Sequence, residues 1–205
     1  AKVSADGTLS EKSNMDWSLE APDLGDLLPD SSGSIQANGK LSGDMKQPKI
    51  NARLMAERVA LNAFTLEHLD GDIDVELSEG ASARIQLNGT NLGSGDDLVE
   101  TLGLTVEGPL DAHRIQLTAK HPMAEVRLDA KGALTLDESQ WQGELGRLDL
   151  DMTDWGNWRL KAPVTILASP AQAKVAPLCL QDSGTALCSE LDWQPGGGSA
   201  KAALS

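Results

Sequence analysis

Three histidines, two cysteines and a surplus of carboxylates are the groups in this 205-residue chain that could do chemistry. His68, His113 and His121 each lack a second ligand at metal-binding spacing, so no zinc site is expected. His113 precedes Arg114 at a strand start and His121 precedes Pro122 in a turn, and both are expected to be solvated. Asp70-Gly71-Asp72-Ile73-Asp74 resembles the start of a calcium loop. Its sixth position is Val75 where glycine is required, and its twelfth is Ala81 where glutamate is required. It reads instead as a turn entering the polar side of the next strand. Paired carboxylates such as Asp149 and Asp151 could divide acid and base roles. They recur at alternate positions, as on a solvated sheet surface. No GxGxxG, GxxxxGK or GxSxG motif is present. No enzyme and no cofactor are expected.

Charge narrows the partners. There are 17 Lys and Arg against 31 Asp and Glu, a net charge of −14, with no basic footprint for nucleic acid. Aromatic residues make up 3% of the chain, with five Trp, one Phe and no Tyr, so the apolar content is almost wholly aliphatic.

The elements that must position these side chains show a period of two. The apolar positions are Ile35, Ala37 and Leu41; Ile50, Ala52 and Leu54; Ile73, Val75 and Leu77; Ile85 and Leu87; Leu104 and Val106. They continue as Ile115 and Leu117; Val126 and Leu128; Leu134 and Leu136; Leu148 and Leu150; Val164 and Ile166; Leu178 and Leu180; Leu187 and Leu191. Alternate strand side chains point to opposite faces, so each run has one apolar and one polar face. Short turn-forming stretches separate the runs, among them Ser78-Glu79-Gly80, Gly108-Pro109 and Pro195-Gly196-Gly197-Gly198. The pattern predicts an all-β antiparallel meander.

Pro22 to Pro29 has helical spacing and predicts one short helix capping an edge; a weaker helical turn is read over Gly95 to Thr101. Residues 43–52 can be laid over 108–117, a weak internal repeat that suggests an elongated sheet. No run approaches the roughly 18 apolar residues of a membrane-spanning helix. The N-terminus lacks signal-peptide character and the C-terminus has no evident stop, so residues 1–205 read as one continuous segment of a longer chain.

Cys179 and Cys188 flank a candidate two-residue turn, Ser183-Gly184. Counting outward sets the two cysteines directly opposite each other, where cross-strand side chains approach closely. A disulfide fits there and implies an oxidising compartment; two unpaired thiols are the other reading. Parity places both sulfurs on the face opposite Leu178, Leu180, Leu187, Leu191 and Trp193.

Several landmarks fall in a distinctive order. They run Gly146-Arg147-Leu148-Asp149-Leu150, Trp155-Gly156-Asn157-Trp158-Arg159-Leu160, Pro163-Val164, Leu178-Cys179-Leu180, Leu187-Cys188 and Leu191-Asp192-Trp193. With Asp26-Leu27-Leu28-Pro29, Gly33-Ser34-Ile35, Gly39 to Gly43 and Ala112-His113-Arg114-Ile115, this resembles the TamB family of the AsmA-like group. The resemblance implies a long sheet folded lengthwise into an open, taco-shaped groove in the periplasm. The parent protein would be held in the inner membrane by a segment absent here. The aliphatic residues given above would line the groove and carry phospholipid acyl chains between the membranes. A TamA-like outer-membrane barrel would be a partner through other parts of the parent. The residues leave two alternatives open: a surface for outer-membrane protein assembly by strand addition, and a closed β-sandwich without ligand. Trp155 and Trp158 are expected to pack under a turn, and Trp17 and Trp193 to lie near the two ends of the sheet.

Overall fold

In the computed structural model the chain forms one antiparallel sheet of fifteen strands, described over residues 1–204 except Leu9, Met45, Glu79 and Asp96, and without the side chains of Ala202 and Leu204. The strands are β1 (Lys2–Thr8), β2 (Lys12–Ala21), β3 (Ser31–Asp44), β4 (Gln47–Leu61), β5 (Phe64–Glu76), β6 (Ser82–Ser94), β7 (Asp97–Pro109) and β8 (His113–His121). They continue as β9 (Ala124–Thr135), β10 (Gln140–Met152), β11 (Gly156–Leu160), β12 (Val164–Ser169), β13 (Gln172–Asp182), β14 (Thr185–Gln194) and β15 (Gly197–Leu204). Each strand from β1 to β10 pairs with the next, as the short turns require.

The one departure lies between β10 and β13. There β11 pairs with the C-terminal part of β10 and β12 with its N-terminal part, and β13 pairs with both. Together β11 and β12 fill the place of one strand, interrupted at residues 161–163. Pro163 has no N–H to give a ladder. Irregular register at Leu145/Arg147 in β10 and at Val175/Leu178 in β13 accommodates the break.

Between Pro22 and Pro29 the only helical element is a 3-10 turn, Leu24–Asp26, with the Asp23 side chain accepting from the Gly25 N–H at 2.9 Å. Leu24 is buried but Leu27 and Leu28 are exposed, so no apolar stripe anchors a longer helix. The turn links β2 to β3 and caps no edge. Of the span Gly95 to Thr101, Gly95 lies in a turn and Asp97 to Thr101 in strand β7, paired with β6. Asp70 to Asp74 lies inside β5, with ladders to β4 and β6, and is not a turn.

Registered partners share a face, so the apolar positions align across strands. Val3, Leu19, Ala37, Leu54, Gly71, Leu87, Leu104, Leu117, Leu128 and Leu148 are successive partners from β1 to β10. The opposite face repeats the logic with charge: Arg53 donates to Asp72 at 2.9 Å, Asn51 to Asp74 at 2.8 Å and Asn88 to Asp70 at 3.0 Å. A one-residue slip would bring leucines onto the charged side, so the two sets of rows specify the same register.

Among the described residues all fifteen strands belong to one sheet, so a sandwich of two separate sheets is not the arrangement formed. The accessible surface is 12,674 Å². A compact monomer of 21.6 kDa exposes about 9,200 Å². The difference, about 3,500 Å², is surface that a compact shape would have removed. Among the described residues no large side chain is completely buried. The best-covered spot is Ala130, Leu145 and Val164, on β9, β10 and β12, with Ile115, Leu128, Trp141, Leu148 and Ile166 around it.

Candidate functional site

The feature that stands apart is the apolar face, and its residues come together as the alternation predicts. Of the aliphatic set, Val164 and Leu180 are buried and Leu136, Leu187 and Leu191 exposed; the rest are half-buried. Leu136 sits in the β9–β10 turn, and Leu77 lies just past β5 with its N–H on the Pro48 carbonyl. Half-burial is what a sheet face has when its side chains touch lateral neighbours but nothing lies above them.

Strict parity misses part of this face. Arg58 and Asn91 adopt left-handed backbone, φ 47° and 50°, inside β4 and β6. Beyond Asn91 the side-chain order shifts, and a Cβ on Gly89 would meet Leu92 at 3.0 Å and Leu69 at 3.5 Å. Leu92 and its partner Leu66 thus join the lining. The positive φ at two non-glycine residues carries no clear sequence signal beyond the Asn itself.

Two tryptophans lie on backbone left bare by glycine. The Trp17 indole rests over Gly39, where a Cβ would come within 2.7 Å of the ring, and Trp141 covers Gly132 and Gly143 at 2.6 and 2.4 Å. Any larger residue at these glycines would displace the ring. Trp17 on β2 and Trp193 on β14 each stand one strand in from an outer strand, as expected near the ends. Trp155 does not pack under its turn: it is 77% exposed, while Trp158 donates to its carbonyl at 2.7 Å.

His113 overturns the expectation of solvation. It is 5% exposed, with Nδ1 3.1 Å from the Leu110 carbonyl and Nε2 accepting from Trp141 Nε1 at 2.7 Å. Since the indole can only donate, Nε2 carries no proton and Nδ1–H donates to Leu110. His121 is half-buried and accepts from the Met123 N–H at 3.1 Å. His68 lies between Glu57 and Asp70, 3.3 Å from each.

The carboxylate pairs on the polar face are engaged in a charge network. Asp149 is buried beneath Arg147, whose Nη2 is 2.5 Å away, and Arg159, whose Nε is 3.5 Å away. Asp151 receives Arg159 and Arg127 at 2.5 and 3.2 Å. Solvated acids were expected here; lateral arginines cover them instead. Arg114 forks onto Asp129 from the neighbouring strand and holds that carboxyl below its ordinary range, chiefly by hydrogen bonding. Asp151, by hydrogen bonding, likewise raises Arg159. These groups are saturated by one another, which suits a structural seam. Among the described residues no group of three or more His, Cys, Asp or Glu is placed to hold a metal ion.

Cys179 and Cys188 form a disulfide across a registered pair of β13 and β14, with Cα atoms 4.0 Å apart. The connecting turn has Ser183 and Gly184 both at positive φ, as a tight hairpin with this twist needs. The flanking Leu178, Leu180 and Leu187 belong to the opposite face, so the staple sits outside the apolar lining. A hollow of about 570 Å³ is lined by Trp17, Ala52 and Ile73 and by polar residues including Lys40, Asn51, Arg53, Asp72, Asp74 and Arg84. It is shallow, and Arg53 pairs there with Asp72 and Asn51 with Asp74.

A single antiparallel sheet with one aliphatic face and one ion-paired face defines a scaffold that presents apolar surface along its length. The chain belongs to the TamB family: the family model described as TamB, N-terminal domain, matches residues 1–205. It is similar to the translocation and assembly module subunit TamB of Haemophilus influenzae, 21% identical over 189 residues, which covers 91% of this chain and 14% of that protein. The chain therefore corresponds to a small part of that relative's length. No solved structure matches it. Among the described residues no helix is long and apolar enough to cross a membrane.

Proposed function

We propose that this segment forms part of a groove that carries phospholipid acyl chains between the inner and outer membranes, within a translocation and assembly module for outer-membrane biogenesis. The observation that carries the reading is the aliphatic face, continuous in register from β1 to β10 and mostly half-exposed. Covering it with hydrocarbon removes apolar surface from water at about 0.8 kcal/mol per methylene. An aliphatic lining is chemically close to the bilayer interior, so an acyl chain gains little by leaving one for the other and can move on. The sheet curls lengthwise on this reading, with headgroups in water at the open seam. The acidic, internally paired outer face offers no concentration of basic groups for headgroup selection. The disulfide suits a periplasmic location. Anchorage in the inner membrane and contact with a TamA-like barrel belong to parts of the parent outside this segment.

The test is native mass spectrometry of the purified chain together with uptake of a fluorescent fatty acid. Co-purified phospholipid and saturable uptake are expected; clean spectra with no uptake would overturn the reading. A second reading is strand addition during outer-membrane protein assembly. It is favoured by β1 and β15, each paired on one side only. An extended client peptide would then gain hydrogen-exchange protection together with β1 or β15, independently of any acyl probe.

A further inference from the structure

Alternate turns of a meander fall on the same rim of the sheet, and one rim is unusual. It carries the β2–β3, β4–β5, β6–β7, β8–β9 and β10–β11 connections. At or beside each of these stands a large exposed apolar side chain: Leu28, Met123 and Trp155 in the connections, and Phe64 and Leu98 in the first two residues of β5 and β7. Phe64 is the single phenylalanine of the chain. The exposures of these residues run from 37% at Leu98 to 77% at Trp155. The same stretches contain no Lys or Arg, whereas Asp26, Asp30, Asp97 and Asp154 adjoin or lie close to the apolar residues. On the opposite rim Leu136 is the exposed large apolar residue among the described residues, and Lys46 stands there close to Asp44.

We infer that the acidic-apolar rim is a docking strip for an amphipathic helix of another polypeptide, its apolar stripe flanked by Lys or Arg. Charge selects the occupant. A second copy presents the same acids and an overall charge of −14, so rim against rim is repelled. An anionic bilayer is repelled for the same reason. Spacing selects the helix. Neighbouring turns on one rim are two strands apart, about 9.5 Å. Two turns of α-helix advance about 10.8 Å, so residues seven apart meet successive hairpins, while same-side residues of an extended chain recur every ~6.6 Å. From the first of these turns to the last is about 38 Å, the length of a helix of about 25 residues. The strip is separate from the lining of the proposed groove and does not depend on acyl chains binding there.

The experiment uses the intact 205-residue chain and a labelled Leu/Lys helical peptide of about 25 residues, with a Leu/Glu peptide of the same apolar pattern as control. Fluorescence anisotropy is expected to show salt-sensitive binding of the Lys peptide and at least about tenfold weaker binding of the Glu peptide, a difference of about 1.4 kcal/mol. The triple variant Leu28→Ser, Phe64→Ser, Met123→Ser should weaken the Lys peptide about tenfold. The variant Asp26→Asn, Asp97→Asn, Asp154→Asn keeps the apolar contacts and should lose most of the salt dependence; it decides the matter if the serine variant does not fold. Leu104→Asp, on the apolar face, should leave peptide binding unchanged. Equal binding of the Glu peptide, indifference to both rim variants, or loss with Leu104→Asp would overturn the proposal. So would binding of zwitterionic phosphatidylcholine vesicles in place of the peptide, or concentration-dependent self-association abolished by the rim variants.

Discussion

Replacing Leu104 by Asp places a carboxylate in the middle of the apolar row, between partners Leu87 and Leu117. What this costs depends on what lies above the row. Full burial of a leucine is worth about 1.5–3 kcal/mol, and Leu104 is half-buried, so the lost contact is worth about 1–1.5 kcal/mol. The poorer strand preference of aspartate adds up to about 1 kcal/mol. Since Leu104 is half-exposed, the carboxylate stays hydrated and its desolvation adds little, for a total of ~2 kcal/mol. Beneath a covering sheet the same charge would cost several kcal/mol more. Leu145→Asp supplies that contrast, because Leu145 is 3% exposed in the one well-covered cluster. In urea, Leu104→Asp should lower the midpoint by about 1 M with an unchanged slope, while Leu145→Asp should leave the chain unfolded without denaturant. The folded Leu104→Asp protein should also take up a fluorescent fatty acid at least about tenfold more weakly. Outright unfolding of Leu104→Asp would refute the open face. Wild-type acyl uptake in a folded variant would refute the groove.

Three further outcomes test the supports around this face. Reducing the Cys179–Cys188 bridge, whose residues are nine apart in sequence, should cost about 2–3 kcal/mol in chemical unfolding, with faster amide exchange concentrated in β13 and β14. His113→Ala should destabilise by about 2–3 kcal/mol because the Trp141 N–H loses its buried acceptor; a double-mutant cycle with Trp141→Phe should be clearly non-additive. Asp129 has a lowered folded-state pKa, so its contribution is present above the ordinary value of 3.8 and is lost as pH falls through the lowered one. Arg114→Gln, which removes the main cause, should be less stable than wild type at pH 6, and urea curves of the two should converge well below pH 3.8.

Much of this was legible along the chain because a strand writes its orientation locally. Ile73, Val75, Ile85, Leu87, Leu104 and Val106 need only the period of two to be placed on one face, and short turns need only their own residues to make neighbours of successive strands. The cysteine pairing follows from the same local counting about Ser183-Gly184. Long-range coverage had no such signature. His113 is buried by Trp141, 28 residues away, and Asp149 by arginines on its own and the adjoining strand. The left-handed residues Arg58 and Asn91 changed which leucines share the apolar face, and the short helix expected between Pro22 and Pro29 is a single 3-10 turn over Leu24–Asp26.

Sequence by itself therefore determined the all-β class, the antiparallel order, the apolar row and the facing cysteines, since each depends on intervals of a few residues. Only the tertiary structure decided that one sheet forms, that β11 and β12 share a single place in the sheet, and that the exposed apolar turns fall along one rim. Alternation reports that a face is apolar. Whether another part of the chain covers that face is a property of the whole arrangement in space, and in this chain most of the face is half-exposed.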